Sequence, residues 1–73
     1  MLLYKNIRTL RVVKGLPQKH IADILEINQS YYSRIERGVS DIPISLVVKI
    51  CEVYSVSIQV LMERDLSKQT LET

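Results

Sequence analysis

Apolar residues recur along this chain at spacings of three and four, which is the period of an amphipathic α-helix. The first such segment covers residues 3–14, and Gly15 follows it as a C-terminal cap. The positions predicted to face the core are Leu3, Ile7, Leu10 and Val13. The pattern therefore predicts a first helix that ends at Gly15.

Two shorter helices are predicted next. Pro17 has a backbone angle suited to a helix start, so a second helix is expected over residues 18–25. Asn28 is a good N-cap for a third helix over residues 29–37, which Gly38 closes. The apolar stripe of the second helix comprises Ile21, Ala22, Ile24 and Leu25.

The third predicted helix has two contrasting faces. Tyr32 and Ile35 are its apolar pair, so they are expected to point into the core. A short helix with many hydrogen-bonding side chains on its free face is unusual as mere surface. The predicted outward residues are Gln29, Ser30, Ser33, Arg34 and Arg37.

The rest of the chain predicts two more helices. Pro43 starts a fourth helix, and Ser57 caps a short fifth helix that carries Ile58, Leu61 and Met62. The expected buried face of the fourth helix is Val47, Ile50, Cys51 and Tyr54, widened by Leu46 and Val53. The apolar pattern thins after Glu63, so we expect one all-α domain over residues 1–63 and a frayed or disordered tail over residues 64–73.

Charge is unevenly distributed between the two halves of the chain. Residues 1–38 carry seven basic and three acidic side chains, whereas residues 39–73 carry three basic and five acidic ones. A basic first half suits a surface that faces phosphates, although a solvated helix surface with an incidental bias is the alternative. At 47% hydrophobic and 25% charged residues, the chain is globular rather than disordered.

Several classes of protein are excluded by what the sequence lacks. A single cysteine, Cys51, and a single histidine, His20, leave no internal disulfide, no metal site and no catalytic constellation, so neither an enzyme nor a cofactor is expected. Cys51 is interpreted as a buried apolar residue, with a reactive thiol as the alternative, and His20 as exposed, with a phosphate contact as the alternative. No segment has the length of a membrane span, and we expect an intracellular protein.

The second and third helices together form a helix-turn-helix with a polar face on its second member. An α-helix fits the major groove of DNA, where Gln pairs with adenine and Arg with guanine. Both residue types lie on the predicted free face. The residues alone therefore favour double-stranded DNA as the partner.

The chain resembles a known family over about residues 5–62. The similar segments are residues 15–18, 21–22, 27–38, 47–51 and 56–58. They match, in order and spacing, the phage-repressor and Cro-like helix-turn-helix domains, also called the xenobiotic-response-element (XRE) family. The resemblance implies a five-helix, lambda-repressor-like fold in which helices two and three form the DNA-binding unit.

The same resemblance implies roles for individual residues. Gln18 would bind a phosphate and brace Gln29, while Arg11 and Glu36 would form a partly buried ion pair that ties helix one to the end of helix three. Arg37 belongs to the same outward face. Base edges would be contacted by Gln29, Ser30 and Arg34, and the DNA backbone or the rim of the site by Tyr31 and Ser33.

The chain departs from the family pattern at four positions. Glu26 and Ser55 stand where the family often has glycine in a left-handed conformation, which costs another residue on the order of 1 kcal/mol. Pro17 and Pro43 stand where it commonly has a capping Ser or Thr. The turns at Glu26 and Ser55 are expected to be slightly remodelled, whereas each proline gives up a side-chain cap and gains a fixed backbone angle.

The function expected from these features is transcriptional regulation. A homodimer would bind a palindromic operator as a repressor, with a dimer patch at Ile58, Val60 and Met62, joined by Ile42 and Ile44. The alternative is a protein-interaction module of the same fold, such as an antitoxin or a coactivator-like adaptor. No small-molecule substrate and no membrane partner are expected.

Overall fold

All regular secondary structure that the computed structural model describes, over residues 2–68, is helical. Residues 66–68 form a short helical segment. Five longer helices precede it, namely α1 (Leu2–Val13), α2 (Gln18–Leu25), α3 (Gln29–Glu36), α4 (Ile44–Tyr54) and α5 (Ile58–Glu63). The predicted all-α, five-helix fold is therefore confirmed, and the bounds of α2 agree at both ends.

The core lies where the five helices meet. α1 packs against α3 and α5, α2 against α3 and α4, and α4 against α5. Ile7, Tyr32, Ile35, Ile50 and Leu61 have no exposed surface. Because α3 contributes both Tyr32 and Ile35 to this centre, its orientation is determined by the core, as its apolar pair predicts.

Some of the buried helix faces are narrower than the apolar stripes that the sequence predicts. Val13, Ile24 and Val53 were expected on buried faces, but they are 57%, 47% and 37% exposed. Val13 is the last residue of α1, and Ile24 and Val53 lie at the edges of their stripes. The core therefore ends before it reaches these side chains.

The first four helices end in the same hydrogen-bonded turn. In each turn two successive backbone amides beyond the helix return to its last carbonyls, as in a Schellman motif. The pairs for α1 and α2 are Gly15 N to Val12 O with Leu16 N to Arg11 O, and Glu26 N to Asp23 O with Ile27 N to Ala22 O. The pairs for α3 and α4 are Gly38 N to Ile35 O with Val39 N to Arg34 O, and Ser55 N to Glu52 O with Val56 N to Cys51 O.

This turn requires a positive φ at its central residue, which glycine adopts at no steric cost. Gly15 and Gly38 have φ of 70° and 74°. Glu26 and Ser55 have φ of 59° and 55°, so the conformation is kept without glycine and carries strain. The turns are thus not remodelled at these two positions.

A buried asparagine joins the first helix to the end of the fold. Asn6 has no exposed surface, and its Nδ2 donates to the carbonyls of Leu61, at 2.6 Å, and Arg64, at 2.5 Å. Its Oδ1 accepts the amide of Leu66 at 3.1 Å. Since a buried amide is costly unless it is paired, this residue holds the chain after α5 against α1.

The chain after α5 continues along α1. Leu66 is buried, and Lys5 Nζ lies 3.1 Å from Asp65 Oδ2. The Asp65 carboxylate also accepts the amide of Ser67 at 3.2 Å. The predicted tail over residues 64–73 therefore includes a packed part, whereas residues 69–73 lie outside the described range.

The strain at Ser55 predicts a stabilising substitution. Ser55→Gly is expected to raise the free energy of unfolding by about 1 kcal/mol, because glycine adopts the left-handed conformation without steric cost. A domain of this size responds with a rise in Tm of roughly 4–8 °C per kcal/mol. Thermal unfolding followed by circular dichroism measures the change.

A matched glycine inside the helix serves as the control. Glu52 is exposed within α4, so Glu52→Gly is expected to lower stability by about 1 kcal/mol. If Ser55→Gly lowered the Tm as the control does, the left-handed turn would not be strained.

Candidate nucleic-acid interface

The N-terminus of α3 is capped by a side chain. Asn28 Oδ1 accepts the amides of Ser30, at 2.7 Å, and Tyr31, at 3.4 Å. Tyr32 and Ile35, both fully buried, then anchor the same helix to the core. A helix fixed at its cap and along one side presents its other side rigidly to solvent.

That other side carries the residues that the sequence predicts to contact DNA. Gln29, Ser30, Arg34 and Arg37 are exposed, and Tyr31 and Ser33 are half-buried at the edges. The structure therefore brings six of the seven predicted residues onto one helix and its cap. The seventh, Gln18, is half-buried at the first position of α2.

Arg34 has two side-chain neighbours, one on α3 and one in the loop after it. Its Nε donates to Ser40 Oγ at 3.3 Å, and its Cζ lies 5.9 Å from the centroid of the Tyr31 ring. The Tyr31 hydroxyl in turn donates to the carbonyl of Asp41 at 3.4 Å. A cation at this distance from an aromatic ring is attracted to its face. The guanidinium is therefore held between the helix and the loop after it.

Behind the exposed face lies a buried ion pair. Arg11 Nε lies 2.6 Å from Glu36 Oε2, and Arg11 Nη2 lies 3.1 Å from Glu36 Oε1. Arg11 Nη1 also donates to the carbonyl of Leu16 at 2.8 Å. The bidentate geometry joins α1, the turn after it and the last residue of α3.

Gln18 takes part in this cluster. Its Nε2 donates to Glu36 Oε1 at 3.1 Å, so its amide is directed at the carboxylate rather than at Gln29 as the resemblance implied. A carboxylate is the stronger acceptor, which favours this partner. The residue thereby connects the start of α2 to the end of α3.

The cluster changes the acidity of its members. Burial by itself would raise the pKa of Glu36, but the hydrogen bonds from Arg11 and Gln18 outweigh it, and the pKa is lowered. The hydrogen bond to Glu36 raises the pKa of Arg11. Burial raises the pKa of Tyr32, and it raises that of Tyr54 to about 12. Charged Arg11 and Glu36 therefore stand beside two neutral phenols.

The N-terminus of α2 lies next to Gln18. Pro17 precedes the helix with φ of −73° and makes no side-chain hydrogen bond to it. The amides of a first helical turn lack partners within the helix, and they carry the positive end of its dipole. This end of α2 is suited to an anion.

Other candidate residues lie apart from this surface. His20 is exposed on α2, and Cys51 is buried in the core as a free thiol. Ile58 and Met62 are 38% and 44% exposed on α5, whereas Val60 is half-buried. Within residues 2–68, no group of His, Cys, Asp or Glu side chains could hold a metal ion, and no helix is long and apolar enough to cross a membrane.

Sequence reasoning missed two features that the structure shows. Ser40 and Asp41 contact the exposed face of α3, and no periodic pattern marks a loop residue as such a partner. Asn6 was also missed, although a polar residue three positions after Leu3 and four before Leu10 interrupts an apolar stripe. That interruption was the available signal.

Comparison with known proteins agrees with this geometry. A family model described as helix-turn-helix matches residues 7–61, which include both helices of the candidate site. The chain belongs to the XRE-type helix-turn-helix family. Domains of this type place the second helix of the helix-turn-helix motif, which corresponds to α3 here, in the major groove of DNA.

The chain is similar to a transcriptional regulator and to a solved structure of a transcription factor. The chain is 32% identical over 60 residues to the HTH-type transcriptional regulator RamB of Mycobacterium tuberculosis, in strains CDC 1551 and H37Rv. This alignment covers 82% of the chain but 13% of RamB. The chain is also similar to the crystal structure of the hypothetical transcription factor NHTF from Neisseria. The TM-score is 0.80 at 27% identity, covering 96% of this chain and 80% of that one.

The buried pair of this helix-turn-helix domain predicts a large and pH-dependent effect on stability. Glu36→Gln leaves the Arg11 charge without its partner, so the free energy of unfolding is expected to fall by roughly 3 kcal/mol near neutral pH. Urea unfolding in a Ser55→Gly background, which we expect to be more stable, measures the difference. Glu52→Gln, an exposed change on α4, is the control and is expected to shift stability by less than about 0.5 kcal/mol.

The pH dependence has a definite sign. Since the folded pKa of Glu36 is lowered from 4.5, its stabilising contribution is fully present above pH 4.5 and is lost as the pH falls through the folded value. The difference between parent and Glu36→Gln should therefore shrink in acid. A difference that stayed constant from pH 7 down to strong acid would contradict the assignment.

Proposed function

We propose that this domain binds double-stranded DNA sequence-specifically and represses transcription as a homodimer on a palindromic operator. The observation that carries the proposal is the division of α3 into a buried face and an exposed polar face. Tyr32 and Ile35 fix the helix in the core, while Gln29 and Arg34 lie in solvent. These two side-chain types pair with adenine and guanine in the major groove.

The start of α2 also supports DNA binding, because it is suited to bind a phosphate of the DNA backbone. Its N-terminus has no side-chain cap, and Gln18 stands at its first position with its amide nitrogen on Glu36. A phosphate at this helix end would accept hydrogen bonds from the amides of the first turn that lack a partner within the helix. It would also neutralise the positive end of the helix dipole. Gln18, Tyr31, Ser33 and Arg37 are the residues we assign to the DNA backbone or the rim of the site.

Regulation of transcription is supported by the similarity to RamB, which is an HTH-type transcriptional regulator. Repression requires only that the bound protein excludes others from the operator, whereas activation requires a second contact surface. The same proposal places the protein inside a prokaryotic cell, where its DNA lies. The exposed face of α3 is polar and basic, and this argues against the alternative of a protein-interaction module.

The geometry of DNA supports the proposed dimer. Successive major grooves on one side of the duplex lie about 34 Å apart, and each domain presents a single recognition helix. The domain measures 33 × 23 × 22 Å, so two copies with their longest dimensions end to end along the duplex have centres about that distance apart. The surface we assign to the contact is α5, where Ile58 and Met62 border a groove that Gln59 and Glu63 complete.

The first test is selection of bound sequences from a random duplex pool at low and moderate salt. A palindromic site is expected, with affinity that falls steeply as salt rises. Arg34→Ala should lose roughly 1–3 kcal/mol of discrimination at one base pair of each half-site. Arg64→Ala removes the same charge outside α3 and should leave discrimination unchanged. Failure to enrich any sequence would overturn DNA recognition and favour the interaction module.

The second test concerns the dimer. Met62→Asp places a charge in the α5 surface and is expected to convert a reversible dimer into a monomer in sedimentation equilibrium. At concentrations where the parent is also monomeric, its Tm should change little, because Met62 is already 44% exposed. Val12→Asp, at an exposed apolar residue of α1, is the control with the same charge and should still dimerise. A parent protein that stayed monomeric in solution and bound DNA as one copy would overturn the homodimer.

A further inference from the structure

The loop after α3 is folded back onto the exposed face of that helix. Gly38, with φ of 74°, donates its amide to the carbonyl of Ile35, and the amide of Val39 donates to the carbonyl of Arg34, both at 3.0 Å. These two bonds reverse the chain within one turn. The next residue, Ser40, therefore lies beside the Arg34 side chain rather than beyond the end of the helix.

Two side chains, one from α3 and one from the loop after it, contact the Arg34 guanidinium. Ser40 Oγ accepts from Nε at 3.3 Å, and the Tyr31 ring lies one helical turn earlier, 5.9 Å from Cζ. The Tyr31 hydroxyl donates to the carbonyl of Asp41, so the ring itself is tied to the loop. The Tyr31 ring and the Ser40 hydroxyl therefore both restrict the position of the Arg34 guanidinium.

The atom that Ser40 engages determines which donors remain. A guanidinium carries five N–H donors in a planar fork, and Ser40 occupies the single donor on Nε. The two terminal nitrogens keep their donors for a second partner. Bidentate pairing with the O6 and N7 atoms of guanine needs two donors from one fork. The contact with Ser40 thus leaves the terminal pair of nitrogens available for a base.

We propose that Ser40 and Tyr31 are positioning residues that orient Arg34 before DNA arrives and thereby set the preference for guanine at one base pair of each half-site. This inference rests on the proposed function, because it assigns the origin of specificity within that site. An arginine that is already ordered loses less rotamer freedom when it contacts a base. Ser40 itself is outside the residues to which we assign a DNA contact.

The test uses the full chain, with Ser40→Ala removing the hydroxyl and Ser40→Thr retaining it. In the free protein labelled with ¹⁵N, the heteronuclear NOE of the Arg34 Nε–H group should exceed that of exposed Arg37 in the parent and in Ser40→Thr. It should fall in Ser40→Ala toward the level of Arg37, because this variant retains only the contact with the Tyr31 ring. Circular dichroism should be the same for all three proteins, because the Ser40 side chain is outside the core.

The second arm measures binding to the selected site and to variants of its Arg34-dependent base pair. Ser40→Ala should lower the preference for guanine between roughly two- and tenfold, the effect of one hydrogen bond. The dependence of affinity on salt should not change, because the number of phosphate contacts is the same. Ser40→Thr should restore the preference.

The outcomes separate this inference from the function on which it rests. A parent that selects a site, together with a Ser40→Ala variant that keeps either the NOE or the guanine preference of the parent, overturns the inference alone. A parent that selects no site overturns the proposed function, and the positioning role falls with it. Loss of both the NOE and the preference, with rescue by Ser40→Thr, supports the inference.

Discussion

The ion pair between Arg11 and Glu36 is the contact on which the geometry of the helix-turn-helix depends. It joins α1 to the last residue of α3, and Arg11 also binds the carbonyl of Leu16 in the turn that leads to α2. Gln18 adds the first residue of α2 to the same carboxylate. One buried carboxylate therefore relates both helices of the motif to α1. The angle between α2 and α3 cannot change without breaking a charged hydrogen bond in a site from which water is largely excluded.

Such a pair is costly to bury, and its surroundings show how the cost is limited. The Glu36 side chain is 2% exposed, and both of its oxygens accept hydrogen bonds from Arg11, with a further one from Gln18. The buried phenols of Tyr32 and Tyr54 add no charge beside the pair, because burial raises the pKa of both. The donors of Arg11 and Gln18 thus converge on the one carboxylate. A unique arrangement of helices is the structural consequence.

Local chemistry explains how much of the fold and the site could be predicted from sequence. The bounds of α2, the cap at Asn28 and the inward pair Tyr32 and Ile35 follow from periodicity and capping within a few residues. The exposure of Val13 could not be predicted, because it depends on which helix lies opposite. The partners of Asn6 are carbonyls 55 and 58 residues away, which no local pattern encodes. The contact of Ser40 with Arg34 depends on the turn at Gly38, and the periodicity of the sequence does not indicate it either.

The turn after α3 differs from the other three in one physical respect. The residue that follows the left-handed position packs against the core in three cases, at Leu16, Ile27 and Val56. The corresponding residue after α3, Val39, is 68% exposed. Apolar burial therefore anchors three of these turns, whereas the segment after Gly38 is held by polar contacts with Tyr31 and Arg34 until Ile42 reaches the core. The order of this loop and the orientation of the exposed arginine consequently depend on each other, so a change in either one alters the surface that α3 presents.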